Sequence, residues 1–162
     1  MERSPKFAAD RMLGRLATWL RLIGIDTAYG PQWTGPALAR VARAEQRTIL
    51  TRDRRLQRVT DPPAMLFIAS DDFREQLRQV LSAYGIEPLA RVLSRCARCN
   101  VEVRPVPKTA ALASRVPEYV FATQDRFVAC PRCRRIYWPA THAARVRAEL
   151  EQIGNRATDD RP

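Results

Sequence analysis

The chain has 162 residues, which suffices for one ordinary domain plus a small module, and its 46% hydrophobic content can form a core. Lysine and arginine number 28 against 17 aspartates and glutamates, and the resulting formal charge of +11 favours a polyanionic partner such as nucleic acid. No apolar run approaches the roughly 20 residues of a membrane span and no signal-peptide pattern opens the chain, so we expect a cytoplasmic protein without membrane contact.

The positive charge is almost entirely arginine, because Lys6 and Lys108 are the only lysines. Residues 1–90 contain 14 basic and 10 acidic side chains, and residues 91–162 contain 14 and 7, so the second half contributes +7. A guanidinium group matches a phosphate bidentately, which favours RNA or DNA contact. A genome-wide arginine bias would produce the same composition.

The first half alternates between short apolar runs and helical patterns, which predicts an α/β domain with a mostly parallel sheet. The predicted elements are a strand over Lys6–Asp10, a helix over Met12–Ile23, a strand over Thr27–Tyr29, a helix beginning at Pro36, strands over Thr48–Thr51 and Met65–Ile68, and a helix over Phe73–Tyr84. We expect the strand order 2-1-3-4, and Ser70 or Asp71 as the N-cap of the last helix.

Aspartates follow three of the predicted strands. Asp10 ends the first strand, Asp53 follows the third, and Asp71 and Asp72 follow the fourth. Parallel strands bind ligands at their carboxyl ends and lie about 4.8 Å apart, so these carboxylates are placed to share a cation. Asp53 alone would also suit a helix cap, and of Asp71 and Asp72 we expect one to cap a helix and the other to bind metal.

All four cysteines lie in the second half, as the C-x-x-C pairs Cys96, Cys99 and Cys130, Cys133. Two such pairs present four thiolates from two tight turns, which is the ligand set of a structural tetrahedral zinc ion. Disulfides or a redox pair would use the same residues, but a basic chain without a secretory signal points to a reducing compartment.

Short strands predicted over Val101–Val106, Tyr119–Val128 and Ile136–Trp138 complete a zinc ribbon around these cysteines. Arg134 follows the last cysteine, at a position where many zinc knuckles have glycine. We expect a left-handed backbone with some strain there, because a side chain disfavours that conformation.

Several segments of the sequence carry a resemblance to a known family. They are FAADRMLGRLATWLRLIGIDT at 7–27, TILTRDRRL at 48–56, FIASDDFREQL at 67–77, and the paired knuckles SRCARC and ACPRCRRIYW. From about Lys6 to Leu150 the chain resembles the mutator-seven C-terminal ribonuclease domain, in which a PIN-like, three-layer nuclease fold precedes a zinc ribbon. The resemblance implies metal-dependent RNA cleavage. It maps the metal-binding acids onto Asp10, Asp53, and Asp71 or Asp72.

One region departs from the pattern of PIN-like nucleases, which usually have a further acid near the start of the helix after the second strand. Residues Gln32–Ala44 contain no carboxylate, and Glu45 comes late in that helix. A site with fewer carboxylates should hold Mg²⁺ or Mn²⁺ more weakly.

The predicted architecture is a PIN-like domain over residues 1–90, a zinc ribbon over 91–150 and a polar tail over 151–162. One structural zinc ion and one or two catalytic Mg²⁺ or Mn²⁺ ions are the expected metals. RNA is the expected partner, with transfer RNA and ribosomal RNA as candidates, and a protein inhibitor or the ribosome is a further candidate partner.

The predicted function is an endoribonuclease, a hydrolase that cleaves RNA phosphodiesters with metal-activated water. Arginines beside the strand ends and in the knuckles are the predicted RNA contacts: Arg11, Arg15, Arg52, Arg132, Arg134 and Arg135. The alternative is a non-catalytic RNA- or ribosome-binding protein with a degenerate PIN-like site, which the missing acid allows. A phosphatase of small phosphate esters fits the extended positive charge less well.

Overall fold

The computed structural model describes residues 4–58 and 61–159. The chain divides into two compact units. The first comprises the residues up to Arg21 together with Ile25–Glu87, and the second comprises Leu22–Gly24 together with the chain from Pro88 onward.

The first unit contains a parallel sheet with the predicted strand order β2-β1-β3-β4. Its strands are β1 (Lys6–Ala9), β2 (Asp26–Tyr29), β3 (Thr48–Thr51) and β4 (Met65–Phe67). The apolar residues of the two central strands, β1 and β3, are completely buried, which is expected when helices cover both faces of a parallel sheet.

Helices connect these strands in the order that the sequence predicts. They are α1 (Gly14–Leu22), α2 (Gly35–Ala44) and α3 (Phe73–Ala83), with short 3-10 helices over Arg11–Leu13 and Arg54–Arg58. The predicted first helix therefore begins as a 3-10 turn, and the aspartate before it caps that turn. Thr34 and Pro36 start α2, as a polar N-cap and an early proline favour.

The sheet lies between helices on its two faces. Helix α2 packs on the face that carries Ala8. Because side chains alternate along a strand, Phe7 points to the other face, where it contacts Tyr84 at the end of α3. Helices α1 and α3 touch each other through Trp19 and Phe73. This is the three-layer, PIN-like arrangement implied by the resemblance.

The N-cap of α3 differs from the prediction of Ser70 or Asp71. Asp72 caps the helix, and its Oδ1 accepts hydrogen bonds from the backbone N–H groups of Arg74 and Glu75, at 3.0 and 3.1 Å. An N-cap side chain reaches amides two or three residues ahead, so a helix that begins at Phe73 needs the residue directly before it.

The second unit contains an antiparallel sheet in the order β5-β6-β7. Its elements are β5 (Arg104–Val106), α4 (Ala110–Ala113), α5 (Glu118–Thr123), β6 (Phe127–Ala129), β7 (Ile136–Tyr137) and α6 (Pro139–Asp159). Most of the segment predicted as a polar tail therefore lies in α6, and residues 160–162 are outside the described residues. No helix in the described part of the chain is long and apolar enough to cross a membrane.

The prediction of one strand over Tyr119–Val128 is wrong in its first half, where the chain forms α5. Leu112, Val116 and Val120 recur every four residues and are buried in one apolar cluster with Phe127. Only Val120 of these residues lies in α5, so its burial in this tertiary cluster, and not a helical repeat in the sequence, accompanies the helix there. Strand propensity depends on such a packing context.

Candidate active-site cleft and zinc site

A cleft of about 330 Å³ opens at the carboxyl ends of β1 and β3. Two predicted acids, Asp10 and Asp53, line it together with three arginines, Arg11, Arg52 and Arg55. These five side chains sum to a formal charge of +1, from three positive and two negative groups. The cleft therefore combines oxygen ligands for a cation with groups that attract a phosphate.

The carboxylate of Asp10 joins the ends of the two central strands. Its Oδ1 accepts a hydrogen bond from the N–H of Met12 at 2.8 Å. Its Oδ2 accepts hydrogen bonds from the hydroxyl of Thr51 and from the N–H of Arg52, both at 2.7 Å. The Asp10 side chain is buried, yet three bonds leave about one of its four lone-pair positions for a ligand.

Asp53 connects to the same network through its backbone. Its N–H donates to the hydroxyl oxygen of Thr51 at 2.9 Å. Its carboxylate is engaged by Arg55, whose Nε and Nη2 lie 3.0 Å from Oδ1 and 2.9 Å from Oδ2. Hydrogen bonds from the side chain and backbone of Arg55 hold the pKa of Asp53 below its usual range. Since the Arg55 side chain is 85% exposed, this ion pair can open into solvent.

The predicted third carboxylate lies outside the cleft. Asp71 is exposed and Asp72 caps α3, and neither is among the described residues that line the cavity. Among the described residues, the only group of three or more acids, histidines or cysteines that could share a metal ion is the cysteine set. The structure thus brings together Asp10 and Asp53 of the four predicted aspartates.

Two further residues of the cleft, Arg55 and Trp33, are not among those that the sequence predicts for the site. Arg55 was one of several arginines after β3, and Trp33 lies in the loop between β2 and α2. The Trp33 ring packs closely over Gly30, where an added Cβ would lie 2.5 Å from a ring carbon. The sequence signal that could have indicated Trp33 is its place in a glycine- and proline-rich loop directly after a strand end.

The predicted RNA-contacting arginines occupy different places. Arg11 and Arg52 line the cleft, whereas the guanidinium of Arg15 lies 3.7 Å from the ring centre of Phe73. In the second unit, Arg132 is exposed, and Arg134 and Arg135 line a separate cavity described below.

The four cysteine sulfurs converge at one point of the second unit. Their Sγ atoms all lie within 4.8 Å of one another, and those of Cys96 and Cys133 are 3.7 Å apart. Tetrahedral ligands at a Zn–S distance of about 2.3 Å would be about 3.8 Å apart, so the set fits a zinc ion. Four cysteine ligands would leave the zinc ion no open coordination position, so the ion would be structural and not catalytic. The four ligands are Cys96, Cys99, Cys130 and Cys133.

The two cysteine turns repeat one hydrogen-bond pattern. The N–H of Cys99 donates to the sulfur of Cys96, and the N–H of Cys133 donates to the sulfur of Cys130, at 3.4 and 3.3 Å. Such bonds stabilise thiolate charge at a metal. After each turn comes a left-handed residue, Asn100 in the first and the predicted Arg134 in the second, with φ of 61° and 59°.

Burial raises the pKa of the Cys96 thiol, but hydrogen bonds from the Tyr137 hydroxyl and from backbone N–H groups outweigh it and lower the pKa to about 7. The Tyr137 oxygen lies 3.1 Å from the sulfur. These hydrogen bonds favour the thiolate form of Cys96, which is the form that zinc binds.

Fold and sites together define an α/β, PIN-like domain with acids at its strand ends, in one chain with a four-cysteine ribbon. A family model described as Mut7-C RNAse domain matches residues 5–150, and the chain belongs to this family. The resemblance noted in the sequence is thereby confirmed, and the family indicates a nuclease role with RNA as the substrate class. Comparison with curated proteins and with solved structures finds no match.

The hydroxyl of Thr51 provides a test of the network at the strand ends. Thr51→Val keeps the shape of this buried side chain but removes one donor to Asp10 and the acceptor for the Asp53 N–H. We expect the free energy of unfolding to fall by about 1–3 kcal/mol and the Asp53 amide to lose protection from hydrogen exchange. Thr51→Ser retains the hydroxyl and should keep that protection. Equal exchange in both variants would contradict the network.

The cysteine set predicts one zinc ion per chain. Cys99→Ser should lose the zinc and unfold the second unit, because metal binding and folding of a ribbon are coupled. Elemental analysis measures the zinc, and two-dimensional NMR shows which amides keep dispersed shifts. Residues of the four-stranded sheet should keep them. Wild-type protein purified without chelator that holds less than about a fifth of an equivalent would contradict the zinc site.

Proposed function

We propose that this chain is a Mg²⁺- or Mn²⁺-dependent endoribonuclease whose active site is the cleft at the carboxyl ends of β1 and β3. The observation that carries the proposal is the pair Asp10 and Asp53, joined through Thr51 at the carboxyl edge of the sheet, in a member of a ribonuclease-domain family. This edge of a parallel sheet is where ligands of α/β proteins bind.

The donor set fits one divalent ion that is held jointly with substrate. Mg²⁺ commonly binds through one or two carboxylates together with phosphate oxygens and water, and Asp10 keeps a lone pair for it. Asp53 can contribute once Arg55 leaves its carboxylate. A divalent ion held by Asp10 and Asp53 would supply an activated water for in-line attack and would stabilise the leaving oxygen.

The arginines of the cleft position the RNA in this proposal. Arg11 and Arg52 line the cleft beside the carboxylates and attract a backbone phosphate, while Arg55 exchanges its bond to Asp53 for a phosphate oxygen when RNA enters. Trp33 offers an aromatic surface against which an unpaired base can stack. RNA binding would therefore release the Asp53 carboxylate for the metal ion, so that RNA and metal ion each strengthen the binding of the other.

A non-catalytic RNA-binding protein is the second candidate, and the charge of the cleft favours it. Three arginines outnumber two carboxylates, and Asp53 is already paired. The late acid Glu45 does not replace the missing carboxylate, because it pairs with Arg47 at 2.6 Å, near the amino ends of the strands. A phosphate would bind such a cleft even without a metal ion.

The finer assignments from the sequence remain proposals. They include Asp71 or Asp72 as a third metal ligand, Arg15 and Arg132 as RNA contacts, transfer or ribosomal RNA as substrate, and a cytoplasmic location. The substitution Asp71→Asn, described below, tests the assignment of a third metal ligand.

Asp53→Asn separates an enzyme from a binding protein. The variant removes a charged ligand with little change in shape, so cleavage of a labelled RNA in Mn²⁺ should fall by orders of magnitude. Binding without added divalent ions should be unchanged or slightly tighter, because a negative charge near the phosphates is lost. Cleavage by the wild type should leave 5′-phosphate and 3′-hydroxyl ends.

Two matched variants accompany that test. Asp61→Asn makes the same change at an exposed residue outside the cleft, where asparagine also tolerates the left-handed backbone, and should keep full activity. Asp71→Asn should lower activity strongly if this acid is the third ligand. Cleavage at equal rates by wild type and Asp53→Asn would reject the site, and no cleavage by any of them would favour the binding protein.

Arg55→Ala tests whether the ion pair restrains metal binding. Removing the guanidinium frees Oδ2 of Asp53 and leaves Oδ1 with only the backbone N–H of Arg55, so Mn²⁺ should bind about threefold more tightly in the absence of RNA. Calorimetric or EPR titration with Mn²⁺ measures this affinity. Arg54→Ala removes the same charge one residue away, outside the cleft lining, and should change it less. Equal effects of the two substitutions would show that only general charge matters.

A further inference from the structure

A second cavity, of about 410 Å³, lies in the unit that contains the cysteines. Arg98, Arg115, Arg134 and Arg135 line it together with Trp138, and none of its described lining residues is acidic. We refer to it as the basic pocket. Four guanidinium groups around one cavity concentrate positive potential there.

The tertiary fold brings these arginines together from three separate segments. Arg98 lies within the first cysteine turn, Arg134 and Arg135 follow the second, and Arg115 follows α4. The Arg115 Nη2 donates a hydrogen bond to the carbonyl oxygen of Arg134 at 2.7 Å, which ties α4 to the second turn. The basic pocket is therefore a product of folding rather than a local run of charge.

Arg134 occupies a costly backbone conformation. Its φ of 59° is left-handed, and glycine would adopt this conformation without strain. The matching residue of the first turn is Asn100, whose short polar side chain tolerates it better. An arginine held in a disfavoured conformation at the wall of a cavity indicates that its side chain is used there.

We propose that the basic pocket binds one nucleotide of single-stranded RNA, with its phosphate on the arginines and its base against Trp138. Guanidinium groups match phosphate oxygens bidentately, and an indole stacks on any base. Single-stranded RNA is the ligand because the bases of an A-form duplex are not exposed for stacking. The choice of RNA rests on the proposed function, but this binding needs neither Asp10 nor Asp53.

A simpler role for the arginines would be to balance the zinc site, since Cys133 also lines the basic pocket. Four thiolates and one zinc ion would carry a formal charge of −2, and the four arginines carry +4, so the arginines exceed the charge of the zinc site by two. Charge balance alone therefore leaves an excess that an RNA phosphate can neutralise.

Arg134→Gly separates these roles, because it removes the charge and relieves the backbone at once. We expect full zinc content and a thermal midpoint of the second unit that is unchanged or about 2–4 °C higher. Affinity for a twelve-nucleotide oligouridylate, measured on the full chain without added divalent ions, should fall about tenfold. The slope of log affinity against log salt should become shallower by about 0.7.

Arg126→Gln is the matched control, since Arg126 is an exposed arginine of the same unit that does not line the basic pocket. It should lower the affinity by no more than about twofold. Equal losses in both variants, or loss of zinc from Arg134→Gly, would overturn the proposal.

The base contact is tested with an abasic oligomer of equal phosphate number. The wild type should prefer the oligouridylate, and Trp138→Leu should remove this preference while retaining apolar bulk. Polyglutamate that competes as well as RNA at equal charge would overturn the assignment to RNA. RNA binding that depends on Arg134, without cleavage, would support the basic pocket and reject the nuclease. Cleavage that is lost in Asp53→Asn, with unchanged RNA binding in Arg134→Gly, would support the nuclease and reject the basic pocket.

Discussion

Three hydrogen bonds to the Asp10 carboxylate hold together the carboxyl ends of the two central strands. Their donors are Met12 in the turn after β1, and Thr51 and Arg52 at the end of β3. Because Asp10 is buried, its loss would leave these donors without their acceptor, which is costly for a buried group such as the Thr51 hydroxyl. One side chain thus closes the sheet edge and lines the cleft, so a substitution of Asp10 changes both the stability of this edge and the oxygen groups of the cleft. At the more exposed Asp53 they can be varied separately.

The features that the sequence predicted well depend on short-range patterns. Apolar runs such as Thr48–Thr51 have the length of buried parallel strands, and the intervening helical spacing dictates crossover connections, so the sheet order follows from general topology rules. The cysteine cluster was predictable for a similar reason, because each C-x-x-C pair sets its own turn geometry. The left-handed Arg134 followed from that same local geometry.

The features that the sequence did not predict depend on which of several similar side chains come into contact in the folded protein. Four arginines surround Asp53 in the sequence, and nothing in their spacing distinguishes Arg55, which turns back onto that carboxylate, from Arg54 beside it. Arg98 and Arg115 come together with the second cysteine turn only after the ribbon has folded. Helix α5 was not predicted, because its segment contains strand-favouring residues and its one buried residue, Val120, joins an apolar cluster that forms only in the folded unit. Tertiary packing decided each of these cases.

The order of the elements along the chain also sets an order of events during synthesis. The four-stranded sheet lies between Lys6 and Phe67, whereas the zinc site needs Cys133, its last ligand. At about 5–20 residues per second, the 34 residues from Cys99 to Cys133 take about 2–7 seconds to translate. During that interval the nascent chain contains the thiols of Cys96 and Cys99 but not yet those of both cysteines of the second turn, so the tetrahedral ligand set is incomplete. Binding of a zinc ion by all four cysteines would therefore come late in synthesis, when the four-stranded sheet can already have formed.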